Sequence, residues 1–262
     1  MTSTPGCERF PEAELTDDAF LGRRLQVLQP RAGYRAAMDP VLLAAAVPAR
    51  AGQAVLELGC GAGVASLCLG RRVAGLDLWG LERQPAYVDL ARRNAARNGL
   101  AVQVLTGDLA ALPGPLRRGF DHVMANPPYY APAAGTPARD GGREAALREE
   151  TPLADWLAVA ARRLHPGGWL TVIQAADRLR DLLAGLPGTM GSVMVLPLAP
   201  RAGRAAGRVI LQARKGGRAP LRLLAPLILH EGPAHDGDRE NHSAVLRGIL
   251  RDGGALPIPP QG

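Results

Sequence analysis

The sequence predicts an α/β fold, in which a doubly wound, mostly parallel sheet of seven strands ends in an antiparallel edge hairpin. Short apolar segments alternate with amphipathic helical segments between residues 54 and 213, with short connections. Such alternation is typical of parallel strands joined by right-handed helical crossovers. Glycines after the first strand indicate a sharp turn into a helix. The 262 residues, 47% of them hydrophobic, are enough to bury one large core.

Each element is predicted from local signals. The strands are predicted at residues 54–59, 73–81, 102–105, 120–125, 169–174, 193–198 and 208–213. The helices are predicted at residues 62–69, 85–98, 153–164 and 177–184. Pro85 suits a first helical turn and Gly99 a helix end, and apolar residues recur on one side of the third helix. The run from His165 to Gly168 is expected to end that helix.

The two ends of the chain lack this periodicity. Residues 1–18 are expected to be disordered, residues 19–252 to form a single domain, and residues 253–262 to be a flexible tail. The N-terminus does not resemble a signal peptide, and no stretch is apolar enough to span a membrane, so we expect a soluble, cytoplasmic protein. Cys7, Cys60 and Cys68 lack the paired spacing of a zinc site, so we expect reduced thiols and no metal.

The charge of the chain favours a polyanionic partner such as a nucleic acid. The formal net charge is +7 and the computed pI is about 10.1. Nearly all the positive charge is arginine, since Lys215 is the only lysine. An Ala-rich, Arg-rich chain can also result from biased codon usage, so the positions of the arginines carry more information than their number.

A glycine-rich turn and three acids indicate a cofactor site. Glu57 lies two residues before Gly59, and Gly59 and Gly61 form a turn that lets a ligand approach the backbone closely. Val64 breaks the dinucleotide fingerprint and Glu57 would repel a pyrophosphate. Glu82 and Asp108 follow the next two strands, and carboxyl ends of parallel strands share one rim of the sheet. Three acids there favour a ligand with positive charge and a ribose, as in S-adenosylmethionine.

A second motif follows the fourth strand. Asn126, Pro127, Pro128 and Tyr129 stand in an uninterrupted row. The prolines restrict the backbone, so the Asn126 amide and the Pro127 carbonyl are expected to form a rigid pair of hydrogen-bond acceptors beside the flat ring of Tyr129. Two acceptors that bind both N–H groups of a planar amine would localise its lone pair for attack. The alternative is an ordinary Pro-rich turn after a strand.

These motifs resemble those of Rossmann-like class I S-adenosylmethionine-dependent methyltransferases that act on an amino nitrogen. The resemblance is carried by VLELGCGAG, LWGLE, TGD and NPPY, in that order. The flanking stretches QPRAGYRAAMDPVLLAAA and RVILQARKGG are similar to the tRNA (adenine-N(6)) methyltransferases that modify the anticodon-adjacent adenine of a valine tRNA. The resemblance covers residues 30 to 215 approximately.

The resemblance implies a role for each motif residue. Glu57, Gly59, Gly61 and Asp39 would border the methionine part of the cofactor, although Asp39 also suits a helix N-terminus before Pro40. Glu82 would bind the ribose and Asp108 the adenine amine. Asn126 and Pro127 would hold the target amine beside the cofactor, Pro128 would stiffen the row, and Tyr129 would stack on the base.

The arginines near the same rim are candidate tRNA contacts. They lie in the turn between the last two strands and in the loop after Tyr129: Arg201, Arg204, Arg208, Arg139, Arg143 and Arg148. If the last two strands form the edge hairpin, their turn projects on the carboxyl side of the sheet. The other interpretation is that these arginines only solvate flexible loops.

Other activities remain open at this point. A glutamine N5-methyltransferase acting on release factors uses the same tetrapeptide, because a carboxamide nitrogen is planar. A guanine-N2 or other rRNA amino-methyltransferase and a catalytically silent RNA-binding protein are further alternatives. The sequence does not indicate an oligomeric state.

Overall fold

A central sheet of nine strands organises the computed structural model, which describes residues 9–129, 151–232 and 241–258. Two further strands form an N-terminal hairpin. The strands in chain order are β1 (Leu15–Phe20), β2 (Leu25–Pro30), β3 (Ala54–Leu58), β4 (Asp77–Glu82), β5 (Val102–Thr106), β6 (Phe120–Ala125), β7 (Leu164–Ala175), β8 (Met190–Ala199), β9 (Arg208–Lys215), β10 (Arg222–Leu223) and β11 (Leu227–Ile228).

Six helices of the described residues pack around the sheet: α1 (Asp39–Ala46), α2 (Val64–Arg72), α3 (Pro85–Arg97), α4 (Leu153–Arg163), α5 (Leu179–Gly185) and α6 (Ala244–Asp252). The helices fall into two groups, each of which packs in its own cluster of buried apolar residues. One holds residues of α1, α2, α3 and α6, and the other holds residues of α4 and α5. Neighbouring residues of β6, such as Val123 and Met124, fall into different clusters, as expected for side chains that alternate between the faces of a sheet.

The sheet confirms the predicted doubly wound α/β class. Its order is β10-β8-β9-β7-β6-β3-β4-β5, with β11 also paired to β8. The five strands β3 to β7 are mutually parallel, and β9 is antiparallel to both β7 and β8. The seven predicted strands are all present, and the short strands β10 and β11 extend the sheet beyond β8. Because β8 runs in the same direction as β7, the turn after β8 lies at the carboxyl edge, as expected.

The boundary between helix α4 and strand β7 differs from the sequence prediction. Helix α4 ends at Arg163, but residues 165–168 already belong to β7, which starts at Leu164. Phe120 pairs with Leu164 and His122 with Trp169, so the ladder is irregular between them. This irregularity holds Pro166 and Gly167, which a regular parallel ladder would exclude. A Pro-Gly signal thus marks a bulged strand start instead of a loop.

The N-terminal hairpin also differs from the expectation that residues 1–18 are disordered. Residues 15–18 belong to β1, which pairs antiparallel with β2 from Leu15↔Pro30 to Phe20↔Leu25. Residues 1–8 lie outside the described residues. The alternation of polar and apolar residues in β1 is weak, because Asp17 and Asp18 are adjacent and so point to opposite faces of the strand. The strand is ordered by its pairing with β2.

Asn94 of α3 and Asn98, which caps the C-terminus of that helix, connect this hairpin to the rest of the domain. The Asn94 side chain accepts from the Leu28 N–H at 2.8 Å and donates to the Leu28 carbonyl at 3.0 Å. Asn98, one turn later, does the same with Gln26 at 3.0 and 2.8 Å. Each amide side chain therefore makes the pair of backbone hydrogen bonds that a neighbouring strand would otherwise make with β2. Asn94 is fully buried, so the loss of these bonds would leave polar groups unpaired.

The C-terminal segment differs from the expected flexible tail as far as residue 258. Gly253 ends α6 in a left-handed conformation with φ 67°. The Leu256 N–H donates to the Ala45 carbonyl at 2.8 Å, and Leu256 is 6% exposed. Residues 253–258 thus pack against α1, and residues 259–262 lie outside the described residues.

Candidate active site

A cleft of about 630 Å³ opens at the carboxyl ends of β3, β4 and β6. It is lined by every residue that the sequence assigned to the cofactor or to the target amine: Asp39, Glu57, Gly59, Gly61, Glu82, Asp108, Asn126, Pro127, Pro128 and Tyr129. The parallel register explains this convergence, because Leu58 pairs with both Leu81 and Ala125 and the three strands end together. An open α/β sheet places its ligand site at this edge.

The glycine loop between β3 and α2 forms the floor of the cleft. Gly59 and Gly61 have φ values of 66° and 51°, which side-chain-bearing residues rarely adopt. A Cβ on Gly59 would lie 2.6 Å from Cη2 of Trp156, a cleft residue of α4 that the sequence analysis did not identify. Glycine is therefore required at position 59 both for the turn and for the contact with the indole ring.

Glu82, at the end of β4, holds the glycine loop in place. Its Oε2 accepts the Gly61 N–H at 3.0 Å and its Oε1 accepts the Gln84 N–H at 2.9 Å. The residue is 8% exposed. Each carboxylate oxygen retains a further lone pair, so Glu82 can still accept hydrogen bonds from a diol in the cleft.

Glu57, at the end of β3, supports the first turn of α2. Its Oε2 accepts the Ser66 N–H at 3.0 Å and the Ser66 hydroxyl. Burial, and to a lesser extent the Glu82 charge, raise the pKa of Glu57 to about 8 against the hydrogen bonds from Ser66. A cationic ligand in the cleft would favour the ionised form of this carboxyl.

Asp108 lies at the rim after β5 and is half-buried. Its Oδ1 accepts the Ala110 N–H at 2.8 Å, and the residue forms an isolated bridge with Ala111. These contacts fix the backbone that carries the Asp108 carboxylate. The position suits a contact with the far end of a cofactor that extends from Glu57 past Glu82.

Asn126 carries an unsatisfied acceptor. Its Nδ2 donates to the Tyr34 hydroxyl at 3.4 Å, whereas its buried Oδ1 has no hydrogen-bond partner among the described residues. The indole Nε1 of Trp156 is likewise buried without an acceptor there. Buried polar atoms of native proteins are nearly always paired, so an exception in a cleft indicates a ligand contact.

The row after Asn126 is oriented by a glutamine that the sequence analysis missed. Gln174, fully buried near the end of β7, donates through Nε2 to the Pro128 carbonyl at 3.2 Å and to the Pro127 carbonyl at 3.4 Å. Its Oε1 accepts the Ala175 N–H at 2.8 Å. A polar residue at the carboxyl end of an otherwise apolar strand was the available signal. These two hydrogen bonds fix the orientation of the Pro127 and Pro128 carbonyls.

Tyr129 closes the row and contacts two residues far away in the sequence. Its hydroxyl donates to Asp39 Oδ2, which also accepts from Arg208 Nε at 3.1 Å. The Arg208 guanidinium carbon lies 4.6 Å from the centroid of the Tyr129 ring. Burial first, and then the Asp39 charge, raise the pKa of the Tyr129 hydroxyl above its ordinary value, so it stays protonated as a donor.

A strap of residues 31–37 covers part of the cleft and supplies Tyr34, a third residue that the sequence analysis missed. A Cβ on Gly61 would lie 3.5 Å from the Tyr34 ring, and the Tyr34 carbonyl accepts the Tyr87 hydroxyl at 3.0 Å. The buried Gln29 of β2 holds the strap, because its side chain bonds both the N–H (2.6 Å) and the carbonyl (3.1 Å) of Ala36. The hairpin thus positions one wall of the cleft.

The arginines proposed for tRNA binding divide into three groups. Arg208 lines the cleft. Arg201 and Arg204 lie in the turn at the carboxyl edge but do not line it, and Arg201 donates to the backbone carbonyls of Glu231 and Gly232. Arg204 is exposed. Arg139, Arg143 and Arg148 lie outside the described residues.

The described ranges contain neither a metal-binding cluster nor a membrane-spanning helix. Within them, no group of three or more His, Cys, Asp or Glu residues is arranged to hold a metal ion. No helix there has the length and apolar character needed to cross a membrane. Cys60 and Cys68 are buried free thiols, as expected.

Comparison with known proteins identifies the family. Residues 38–195, more than half of the chain, match the methyltransferase small domain. A tRNA1(Val) (adenine(37)-N6)-methyltransferase of Dickeya chrysanthemi is 28% identical over 247 residues, which cover 91% of this chain and 94% of the relative. A protein of the same name from Porphyromonas gingivalis is 34% identical over 181 residues, 63% of this chain and 68% of the relative.

A solved structure has the same fold. The crystal structure of a predicted O-methyltransferase from Agrobacterium tumefaciens superimposes with a TM-score of 0.67 at 25% identity, covering 84% of this chain and 98% of that chain. The family match spans α1, the glycine loop, the acidic rim and the row from Asn126 to Tyr129. On this evidence, the chain belongs to the methyltransferase small domain family.

Proposed function

We propose that the protein is an S-adenosylmethionine-dependent methyltransferase that acts on the exocyclic N6 of an adenine in tRNA, the anticodon-adjacent adenine of a valine tRNA. The observation that carries the proposal is the buried Asn126 Oδ1, an acceptor without a partner among the described residues, in a cleft lined by acids. The names of the two curated relatives support the choice of tRNA and of N6. A tRNA substrate would place the reaction in the cytoplasm.

The chemistry of the residues that line the cleft suits the cofactor. Glu57, Glu82 and Asp108 place three carboxyl groups around the glycine loop of a chain whose net charge is +7. They suit an ammonium group, a ribose diol and an adenine amine in that order, while Gly59 and Gly61 allow a close approach to the backbone. When bound, S-adenosylmethionine supplies an electrophilic methyl group on a sulfonium.

Asn126 would prepare the amine for attack. The lone pair of an adenine amine is delocalised into the ring, and an N–H bonded to Asn126 Oδ1 favours the tetrahedral nitrogen in which that pair is localised. The Pro127 carbonyl would accept the second N–H. Gln174 keeps this carbonyl fixed, so little reorganisation is needed when the nitrogen changes geometry.

The remaining residues would position the base and need not exchange protons with it. The methylated nitrogen is cationic and acidic, and it can lose its proton to water after transfer. The target base must leave its stack at a cost of a few kcal/mol, and stacking on Tyr129 would offset roughly 1 to 3 kcal/mol of this cost. Catalysis then depends on positioning and on the acceptor pair.

The experiment that tests this function is transfer of labelled methyl from S-adenosylmethionine to unmodified bulk tRNA, bulk rRNA and release-factor protein in parallel, followed by nucleoside and amino-acid analysis. We expect N6-methyladenosine from tRNA only, and its loss when the valine tRNA is removed from the pool. Label on glutamine or on guanine would overturn the substrate and keep the methyltransferase chemistry. Cofactor binding with no transfer to any acceptor would favour a silent RNA-binding protein.

A further inference from the structure

We propose that Arg208 is a positioning residue for the target base: together with Asp39 it clamps the Tyr129 ring and determines which face of that ring the base can stack on. This inference rests on the proposed function. It replaces the interpretation of Arg208 as a phosphate contact. Arg208, Asp39 and Tyr129 together form this clamp.

Three separate elements meet in the clamp. Asp39 is the first residue of α1, Tyr129 ends the row after β6, and Arg208 is the first residue of β9. Asp39 Oδ2 accepts both the Tyr129 hydroxyl and, at 3.1 Å, Arg208 Nε. Arg208 and Asp39 are 169 residues apart in the sequence, so only the fold brings the three side chains together.

The clamp leaves the Tyr129 ring with little freedom. The hydroxyl is tied to Asp39, and the guanidinium carbon lies 4.6 Å from the ring centroid and covers one face. A flat group that enters the cleft can therefore stack only on the face that Arg208 leaves uncovered. Because the ring is already fixed before the base arrives, its rotational freedom is not lost on binding, and the base is presented in one orientation to Asn126.

The charge of Arg208 is already partnered, which argues against a phosphate role. The Asp39 carboxylate bonded to its Nε would also repel an approaching phosphate. Arg204, in the turn just before β9, provides the contrast: it is exposed and its side chain has no hydrogen-bond or ion-pair partner among the described residues. Arg204 is therefore better placed than Arg208 to bind a backbone phosphate.

The same strand supplies a matched control. Arg214, at the other end of β9, places its guanidinium carbon 5.9 Å from the Trp169 ring centroid and donates from Nε to the Gly167 carbonyl at 3.1 Å. It thus makes the same kind of contacts with a ring and with an oxygen acceptor. Arg214 does not line the cleft.

The test compares the full-length wild type with R208A, R208K and R214A. For each we would measure the single-turnover rate of methyl transfer to the tRNA, the tRNA dissociation constant at several salt concentrations, S-adenosylmethionine affinity by calorimetry, and thermal stability. We expect R208A to lower the single-turnover rate roughly tenfold, the scale of a partly desolvated cation–π contact. The salt slope and the cofactor affinity should be unchanged, and R214A should match the wild type.

R208K separates the planar stack from the charge. Lysine can keep the ion pair with Asp39 but cannot lay a flat group on the ring, so we expect it to restore less than half of the lost rate. A double variant of R208A with Y129F should lose less than the product of the two single losses, because both changes release the same ring.

Two results would overturn the clamp. One is an unchanged single-turnover rate for R208A with a salt slope that falls by about 0.7 to 0.9, the signature of one lost phosphate contact. The other is full rescue by R208K. If the wild type transfers no methyl to any RNA, the proposed function fails and the clamp fails with it, whereas transfer by the wild type with either result above rejects the clamp alone.

Discussion

The two ends of the cleft satisfy their polar groups differently. At the glycine-loop end, formed by Glu57, Gly59, Gly61 and Glu82, each carboxyl group already accepts backbone N–H bonds. At the Asn126 end, formed by residues 126–129, a buried acceptor has no partner among the described residues. The first end is assembled before any ligand arrives, whereas the second leaves an acceptor that an N–H of a ligand could bind.

The two ends therefore differ in what their hydrogen bonds contribute: folding stability at the glycine-loop end and, in our proposal, rate acceleration at the Asn126 end. The hydrogen bonds of Glu57 and Glu82 hold β3, β4 and α2 together and so contribute to folding, and we propose that the same carboxyl groups also bind the cofactor. An unpaired buried acceptor costs about 1 to 3 kcal/mol, and an N–H from the substrate relieves that cost. Only interactions that strengthen at the transition state accelerate a reaction, and we propose that the Asn126 end makes one.

The largest expected effect is at the Asn126 end. We expect N126A to lower kcat roughly 100-fold or more, the scale of one lost preorganised polar group. The dissociation constant for S-adenosylmethionine should change less than twofold, and thermal stability should change little, because removal of an unpaired polar atom offsets the loss of the long bond to the Tyr34 hydroxyl. Single-turnover assays, calorimetry and thermal melts measure these three quantities. Near wild-type turnover would contradict the role of Asn126.

The next effect is at the glycine-loop end. G59A adds a Cβ 2.6 Å from Trp156 Cη2 in a left-handed backbone conformation, and we expect loss of both stability and cofactor affinity. Gly99 is the matched control, since its φ is 61° and a Cβ there would meet nothing within 4 Å. G99A should cost about 1 to 2 kcal/mol in backbone strain alone.

The clash at position 59 should add a further 1 to 3 kcal/mol or so, as overpacking does. Urea unfolding of both variants measures the difference between them. Equal destabilisation of G59A and G99A would mean that the indole ring moves aside. The close packing of Trp156 on the glycine loop would then add nothing to the free energy of unfolding.

A smaller effect follows from the pKa of Glu57. Because that pKa is raised from 4.5 to about 8 in the folded protein, the folded state retains a proton that the unfolded chain loses between these pH values. The free energy of unfolding should therefore fall as pH rises from 4.5 to 8, by an amount on the order of a few kcal/mol.

E57Q should flatten this profile, since glutamine keeps an acceptor for Ser66 but does not titrate. Urea unfolding at several pH values between 5 and 8 measures it. In the wild type, affinity for S-adenosylmethionine should also rise with pH over this window, because a cationic ligand favours ionised Glu57. A stability profile of E57Q that parallels the wild type would assign the pH dependence to other groups.

The smallest effect lies outside the cleft. R204A should weaken tRNA binding a few-fold and lower the salt slope by about 0.7 to 0.9, with cofactor affinity unchanged. R201A is the comparison, because Arg201 bonds the carbonyls of Glu231 and Gly232 and its loss should act on local stability as well. Filter binding at several salt concentrations measures tRNA affinity and its salt slope for both variants. An unchanged salt slope for R204A would show that Arg204 does not contact an RNA phosphate.

The sequence by itself determined the central sheet and the residues of the motifs. Strands β3 to β9 follow from short apolar runs between turn signals, and Glu57, Glu82 and Asn126 stand directly after or at the end of such runs. Parallel strands end at a common edge, so knowing the strand ends was enough to expect these side chains in one cleft. The chemistry of a planar amine followed from the residue types alone.

The tertiary structure decided what surrounds those residues. The N-terminal hairpin is held by Asn94 of α3 and by Asn98 just after that helix, and Tyr34 reaches the cleft through the strap that the hairpin holds. Gln174 of β7 bonds the Pro127 carbonyl, which follows the neighbouring strand β6. Arg208 reaches Asp39 over 169 residues. Periodicity and turn chemistry report on neighbours in the chain, whereas these contacts join side chains whose separation is set by how the elements pack, and no local pattern records that distance.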